Sequence, residues 1–153
     1  TIHNMDYEHQ YHVGATWDEL RKGTLHSDEL SQKIEVATPP PFPGGMENIW
    51  SPEHFFVAAV NSCLMTTFLA IAEHSKLEFK SFHCNARGKL ERVDGKYMMS
   101  TIELHPVVEI MHESDREKAE RILDKSEAAC LISNSIKSSV HMHPVIALAS
   151  ELN

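Results

Sequence analysis

The 153-residue chain has only three cysteines, Cys63, Cys84 and Cys130, none in a CxxC pair and none spaced like a secreted disulfide framework. A reducing compartment follows. The first ten residues, TIHNMDYEHQ, lack the basic segment and apolar core of an export signal, so a cytoplasmic location is the default expectation. Cationic residues are scarce too: 14 Lys and Arg against 22 Asp and Glu give a net charge of −8, which repels phosphate backbones and anionic bilayers. Neither nucleic acid nor a membrane is an expected partner. Eleven histidines are present, but there is no HExxH and no Cys/His zinc pattern. The close pairs His9/His12 and His141/His143 read as solvated surface, and no metal or organic cofactor is expected. Repeats and low-complexity tracts are missing, and the length fits one domain over residues 1–153 that needs no covalent staples.

The chain does contain one long apolar run, SPEHFFVAAVNSCLMTTFLAIAEHS, over residues 51–75. Ser51 as N-cap, Pro52 at the first helical position and Glu53 against the helix dipole predict a helix starting near residue 52. The run is just long enough to cross a thin membrane, but Asn61, Ser62, Thr66 and Thr67 interrupt it and no second span exists. A helix apolar all round, buried at the centre of a domain, is the expectation. Asn61, Ser62 and Cys63 form a small, partly polar patch in it, and taken alone Cys63 is either a presented thiol or a small core residue.

Around this helix, residues 11–37 read as strands joined by turns, with Ile34 and Val36 alternating against Lys33 and Glu35 as in a half-buried strand. Arg21, close to Gly23, falls at a hairpin corner. TPPPFPGG (38–45) is a stiff, irregular connector, and the aromatic and two apolar residues of Met46–Trp50 either line a pocket or pack on the helix start. After the helix, apolar residues alternate over 82–90, Asp94-Gly95 signals a turn, and Met98, Ile102 and Leu104 carry the partner strand's inner face. Cys84 points inward there and reads as structural. A second helix is predicted over 115–137, with Ser114 and Glu117 as a capping box and Ala119, Ile122, Leu123, Ser126, Ala129, Cys130, Ser133 and Ile136 as its apolar stripe. A final strand, 140–148, has Met142, Ile146 and Leu148 on one face. The expected class is α+β, two helices packed on an antiparallel sheet.

Each helix thus carries one inward or half-inward cysteine, Cys63 and Cys130, and in a reducing compartment two such thiols suggest redox chemistry. A thiol with an ordinary pKa of about 8.5 is mostly protonated at neutral pH, so a fast nucleophile needs a neighbouring cation; Arg21 with a carboxylate to orient it would suffice.

The residues PE…AA…C in SPEHFFVAAVNSC and ACLISN around Cys130 resemble the osmotically inducible protein C and organic hydroperoxide resistance (OsmC/Ohr) family over most of the chain. The resemblance implies an intertwined α+β homodimer with a long buried central helix, a second helix, and two active sites at the subunit interface. It implies a thiol-dependent peroxidase that reduces organic hydroperoxides, with Cys63 as the peroxidatic and Cys130 as the resolving cysteine. Arg21 would be the activating arginine, with Arg87 and Arg92 as alternatives, and Glu53 the carboxylate paired with it. The reductant would be a dithiol of lipoyl or similar type. Leu131 stands where many members have proline. Phe55, Phe56, Met65 and Trp50 are either an apolar wall for a bulky peroxide or core. Non-catalytic binding or redox sensing on the same fold, and a zinc protein using Cys63, Cys130 and histidines, are the rival readings. Glu53 and Cys63 lie ten residues apart, about 15 Å along one helix. For both to serve one site, either Glu53 leaves the helix or it reaches the partner subunit's Cys63.

Overall fold

The computed structural model describes residues 8–151. It divides into two compact units, with the boundary in the sequence between His54 and Phe55.

The first unit is a meander of β1 (Gly14–Glu19), β2 (Lys22–Ser27) and β3 (Leu30–Ala37), antiparallel in that order. Arg21 stands at the β1–β2 corner as expected, following Leu20 in the left-handed region at φ 49°. Gly23 is required by the close approach of the strands, since a Cβ there would lie 2.5 Å from the Thr16 carbonyl oxygen. Ile34 is 40% exposed, more than a half-buried strand predicts; burial in β3 is confined to its last two residues, the half-buried Val36 and the buried Ala37. The proline-rich connector folds into consecutive turns: Phe42 N–H donates to the Pro39 carbonyl (3.1 Å), Gly45 N–H to Phe42 (2.9 Å) and Met46 N–H to Thr38 (2.9 Å). The chain then returns beside β3, where Ala37 N–H donates to the Trp50 carbonyl at 2.9 Å.

Helix α1 (Pro52–His74) starts where its sequence signals place it. Ser51 is fully buried; its hydroxyl accepts from His54 N–H (3.2 Å) while His54 Nδ1 accepts from Ser51 N–H (3.2 Å), a reciprocal cap with histidine in the usual Glu/Gln position. The expectation of a helix buried all round needs correction. A single stripe, Val60, Leu64, Phe68 and Ala72, is buried, while Met65 and Leu69 are 39% and 41% exposed. By length and composition α1 could span a membrane. Its stripe is instead packed inside the second unit, on side chains of a sheet and a second helix.

That sheet is built on a long hairpin, β4 (Phe79–Val93) and β5 (Lys96–Ile110). Asp94 (φ 51°) and Gly95 (φ 80°) both adopt the left-handed conformation that a two-residue hairpin turn of matching twist demands. A bulge pairs Lys89 with Thr101 but Leu90 with Met99, so Ser100 is the extra residue. Met99, not Met98, therefore shares the face of Leu90. Beyond the bulge, Ile102, Leu104, Pro106, Val108 and Ile110 are buried in strict alternation. The expected single last strand is two, β6 (Ser139–Met142) and β7 (Val145–Leu148), separated at His143-Pro144, where proline has no N–H for a ladder bond. Both run parallel to β5, so the sheet is mixed and not purely antiparallel.

Helix α2 (Arg116–Ala128) is shorter than the predicted 115–137. It follows a 3-10 turn at Glu113–Asp115, and its N-cap is Asp115 with no side-chain cap bond, so the Ser114/Glu117 capping box does not form. At the other end Cys130 N–H tightens onto the Glu127 carbonyl (3.2 Å), and Asn134 Nδ2 donates to the Ala128 carbonyl (3.1 Å). These bonds satisfy terminal carbonyls that another helical turn would have used. Ala119, Ile122, Leu123 and Ser126 are buried as the stripe predicts, but Ala129 is exposed and Cys130 lies in the turn beyond the helix.

Candidate active site

Cys63 sits midway along α1, one residue before the fully buried Leu64, and is itself only half-buried. Cys130 is 1% exposed and belongs to a cluster with Val60, Leu64, Ile102 and Leu104, against which Cys63 packs. The two cysteines that the sequence places 67 residues apart are packed neighbours, with both thiols free. The end of α2 explains this: by stopping at Ala128, the chain turns Cys130 in toward α1 instead of leaving it on a helical face.

The neighbourhood makes the two thiols unequal. Burial pushes the Cys63 thiol up, but hydrogen bonds from the Ile132 backbone, the Cys130 thiol, Thr67 and the Leu131 backbone outweigh it, and the net shift is downward. Thr67 Oγ1 lies 4.0 Å from Cys63 Sγ, one helical turn on. Burial raises Cys130, and its bond to Cys63 raises it further. The neighbourhood therefore favours ionisation of Cys63 over that of Cys130. The Thr67 hydroxyl and the Leu131 and Ile132 N–H groups were not singled out in the sequence. Thr67 could have been found from its i, i+4 relation to Cys63, whereas backbone groups in an irregular turn leave no side-chain signal.

In the first unit, Arg21 and Glu53 line a common cleft of about 370 Å³ with Thr38, Pro39, Phe42, Pro43 and Pro52. Gly44, at φ 78°, lets the Arg21 side chain pass close by; a Cβ there would lie 3.1 Å from both Arg21 Cγ and Nε. Glu53 Oε2 is buried and has no hydrogen-bond partner among the described residues, and no ion pair joins it to Arg21. An orphaned carboxylate oxygen of this kind is costly unless a donor meets it. Glu53 does not leave the helix to fold back: it lies in the first turn of α1, which closes that route. The alternative arginines are on β4; Arg87 is exposed and Arg92 lies over the Tyr97 ring, 4.9 Å from its centroid.

Cys84 is set apart chemically. It lies on β4 between the outward His83 and Asn85, and burial pushes its thiol up to about 11, against a weaker opposing bond from the His105 backbone. Its carbonyl accepts from Asn61 Nδ2 at 2.9 Å, so the polar patch that the sequence marks on α1 is divided: Asn61 ties the helix to β4 and Cys63 turns to Cys130. Trp50 is 54% exposed and meets the His54 ring edge-on at 6.0 Å, whereas Phe56 packs into the cluster that holds Cys130. Among the described residues no group of three or more His, Cys, Asp or Glu side chains is placed to hold a metal ion.

The chain and its fold are similar to those of known proteins. The chain is 25% identical over 140 residues to the uncharacterized protein YmaD of Bacillus subtilis, covering 88% of this chain and 91% of that one. Its fold matches an OsmC-like protein of unknown function from Vibrio cholerae with a TM-score of 0.82 at 26% identity, over 90% of this chain and 100% of that one. It also matches an organic hydroperoxide resistance protein from Elizabethkingia anophelis with a TM-score of 0.72 at 20% identity, over 92% and 99% of the two chains. The family model described as OsmC-like protein matches residues 45–144, a span that contains Glu53, Cys63 and Cys130, and the chain belongs to that family.

Proposed function

We propose that the protein is a thiol-dependent peroxidase that reduces organic hydroperoxides to alcohols, working as one domain in a homodimer in the cytoplasm. The observation that carries this reading is Cys63, held toward its thiolate against the donor thiol of Cys130. The Cys63 thiolate attacks the outer peroxide oxygen, the O–O bond breaks, and the departing alkoxide takes a proton and leaves as alcohol. The sulfenic acid on Cys63 condenses with the Cys130 thiol, releasing water and forming a disulfide, which a dithiol reduces in two exchange steps.

In this reading Arg21 and Glu53 supply the activating cation and its carboxylate to the partner subunit's Cys63. Two features support it: Glu53 has an unmet acceptor, and α1 leaves Met65 and Leu69 uncovered within the chain. The exposed Trp17, Leu20 and Leu30 of the first unit are further apolar surface for a second copy to cover. Turnover of tert-butyl hydroperoxide with a dithiol donor tests the proposal. Loss of turnover in Cys63→Ser is expected; unchanged turnover in that variant refutes it. A ligand retained through purification with both thiols unreactive would instead mark a non-catalytic binding protein.

A further inference from the structure

A second cleft, of about 370 Å³, opens at the C-terminal end of α2, lined by Asp124, Glu127, Ala128, Ser133, Asn134, Ser138 and Val140. Cys130 does not line it, but Ser133, which does, neighbours the Cys130 sulfur. Its walls are the last turn of α2, the 3-10 turn Ser133–Ser135 and the segment entering β6, and no residue of α1, the helix that carries Cys63, contributes to it. Ser133 stands between the cleft and the buried sulfur: its hydroxyl lies against the Cys130 thiol, yet it is buried and makes no hydrogen bond of normal geometry. The segment is held by a few local bonds, Asn134 N–H to the Cys130 carbonyl (3.0 Å) and Ser135 N–H to Ile132 (3.0 Å). Short 3-10 turns have poorer hydrogen-bond geometry than an α-helix.

Resting on the peroxidase reading above, we infer that this acidic cleft admits the reductant to Cys130, and that it selects neutral or cationic dithiols over anionic ones. Displacement at a disulfide sulfur requires the attacking sulfur, the attacked sulfur and the leaving sulfur to be nearly in line. An attack that expels Cys63 must reach Cys130 from the side away from α1, where the cleft lies. The reductant's thiolate bonds to Cys130 Sγ, the Cys130–Cys63 bond breaks, and Cys63 leaves as its thiolate. The second thiol of the reductant, deprotonated, then attacks the reductant sulfur of the mixed disulfide. Cys130 leaves and takes the proton, and the two electrons have come from the dithiol. Exchange is fastest when the leaving thiol is the more acidic one, and Cys63 is lowered where Cys130 is raised. The leaving group in this step is thus the more acidic of the two cysteines.

Asp124 and Glu127 put two negative charges on the cleft wall with no ion pair to neutralise either among the described residues. At about 6 Å in water each carboxylate disfavours a bound anion by about threefold. Dihydrolipoamide and dihydrolipoate carry the same dithiol and differ only in amide against carboxylate, which makes them the probe. The protein is first oxidised with diamide, so that the test does not depend on peroxide turnover. Reduction by dihydrolipoamide is expected to be about tenfold faster at low salt, two such factors multiplied, with the ratio falling as salt is added. Asp124→Asn/Glu127→Gln should bring the ratio near one. The equally charged control Glu78→Gln/Glu117→Gln, at the opposite end of α2, should keep it. A brief reaction with cysteamine, quenched in acid, should leave the adduct on Cys130 and a free Cys63 thiol. An adduct on Cys63, a ratio of one in the wild type, or a ratio unmoved by the cleft variant overturns the inference, as does failure of diamide to form the Cys63–Cys130 bond. If diamide forms that bond and hydroperoxide does not, the peroxidase reading fails and the cleft assignment stands.

Discussion

Oxidation should make the protein harder to unfold, and the size of the effect follows from where the two sulfurs lie. A Cys63–Cys130 bond closes a loop of 67 residues, which in the chain-entropy account removes about 14–15 cal/mol/K from the unfolded ensemble, or about 4 kcal/mol at 25 °C. In the native state the strain against this gain is small, because the thiols are already neighbours and need no long movement to join. For a domain of this length about 4 kcal/mol corresponds to a rise in Tm of about 10 °C. The same energy lowers the reduction potential of the folded disulfide by about 90 mV relative to the same cysteines in the unfolded chain. The assay is urea unfolding followed by circular dichroism, with diamide-oxidised and fully reduced protein at one fixed concentration, since an oligomer's midpoint depends on it. Cys130→Ser, treated identically, should show no oxidation effect. An oxidised midpoint at or below the reduced one would mean that the bond distorts the turn after α2 or that a different pair has closed, and the reasoning fails.

Three further outcomes follow from the packing and the site. Leu64→Ala, at a fully buried position in the cluster that holds Cys130, should cost about 3 kcal/mol in the same urea assay; less than about 1 kcal/mol would mean that the stripe on α1 is not core. Cys84 has a thiol raised to about 11 from 9.0, so between those values the unfolded chain ionises first and stability falls as pH rises. Cys84→Ala should flatten the decline in urea midpoint over that window, and an unchanged slope would contradict the assignment. Cys130→Ser leaves the Cys63 sulfenic acid without its partner, so excess hydroperoxide should carry Cys63 on to sulfinic acid by intact mass, where wild type stops at the disulfide.

Local signals with a single physical cause were legible in the sequence. Ser51-Pro52 marked the start of α1, Asp94-Gly95 marked the hairpin, and the alternation over 82–90 put Cys84 on an inner face, because caps, turns and pleats act over a few residues. What failed depended on competing bonds and strand pairings that residue period does not encode. The periodic residues past Ala128 continued the helical pattern, but Asn134 and the turn around Cys130 satisfy the helix end, and that competition has no signature in period alone. The bulge at Ser100 moved Met98 off the inner face, and β6 and β7 joined β5 in parallel, a choice set by the path of the chain. The apolar run of α1 suggested burial all round, although one stripe alone is covered within the chain. Of the candidate site, the two helix cysteines came from residue type and placement, the pairing of Arg21 with Glu53 from the family resemblance, and the cleft that these two line from the structure. The Leu131 and Ile132 N–H groups that hold Cys63 toward its thiolate belong to the backbone, and only the structure reveals them.

The central claim is that Cys63 and Cys130 form one redox pair, and peptide mapping after treatment with one equivalent of tert-butyl hydroperoxide tests it most directly. Non-reducing digestion with mass spectrometry should recover the Cys63 peptide joined to the Cys130 peptide, with Cys84 as a free, alkylatable thiol. A disulfide that includes Cys84, or Cys63 and Cys130 both recovered as free thiols, would contradict the account.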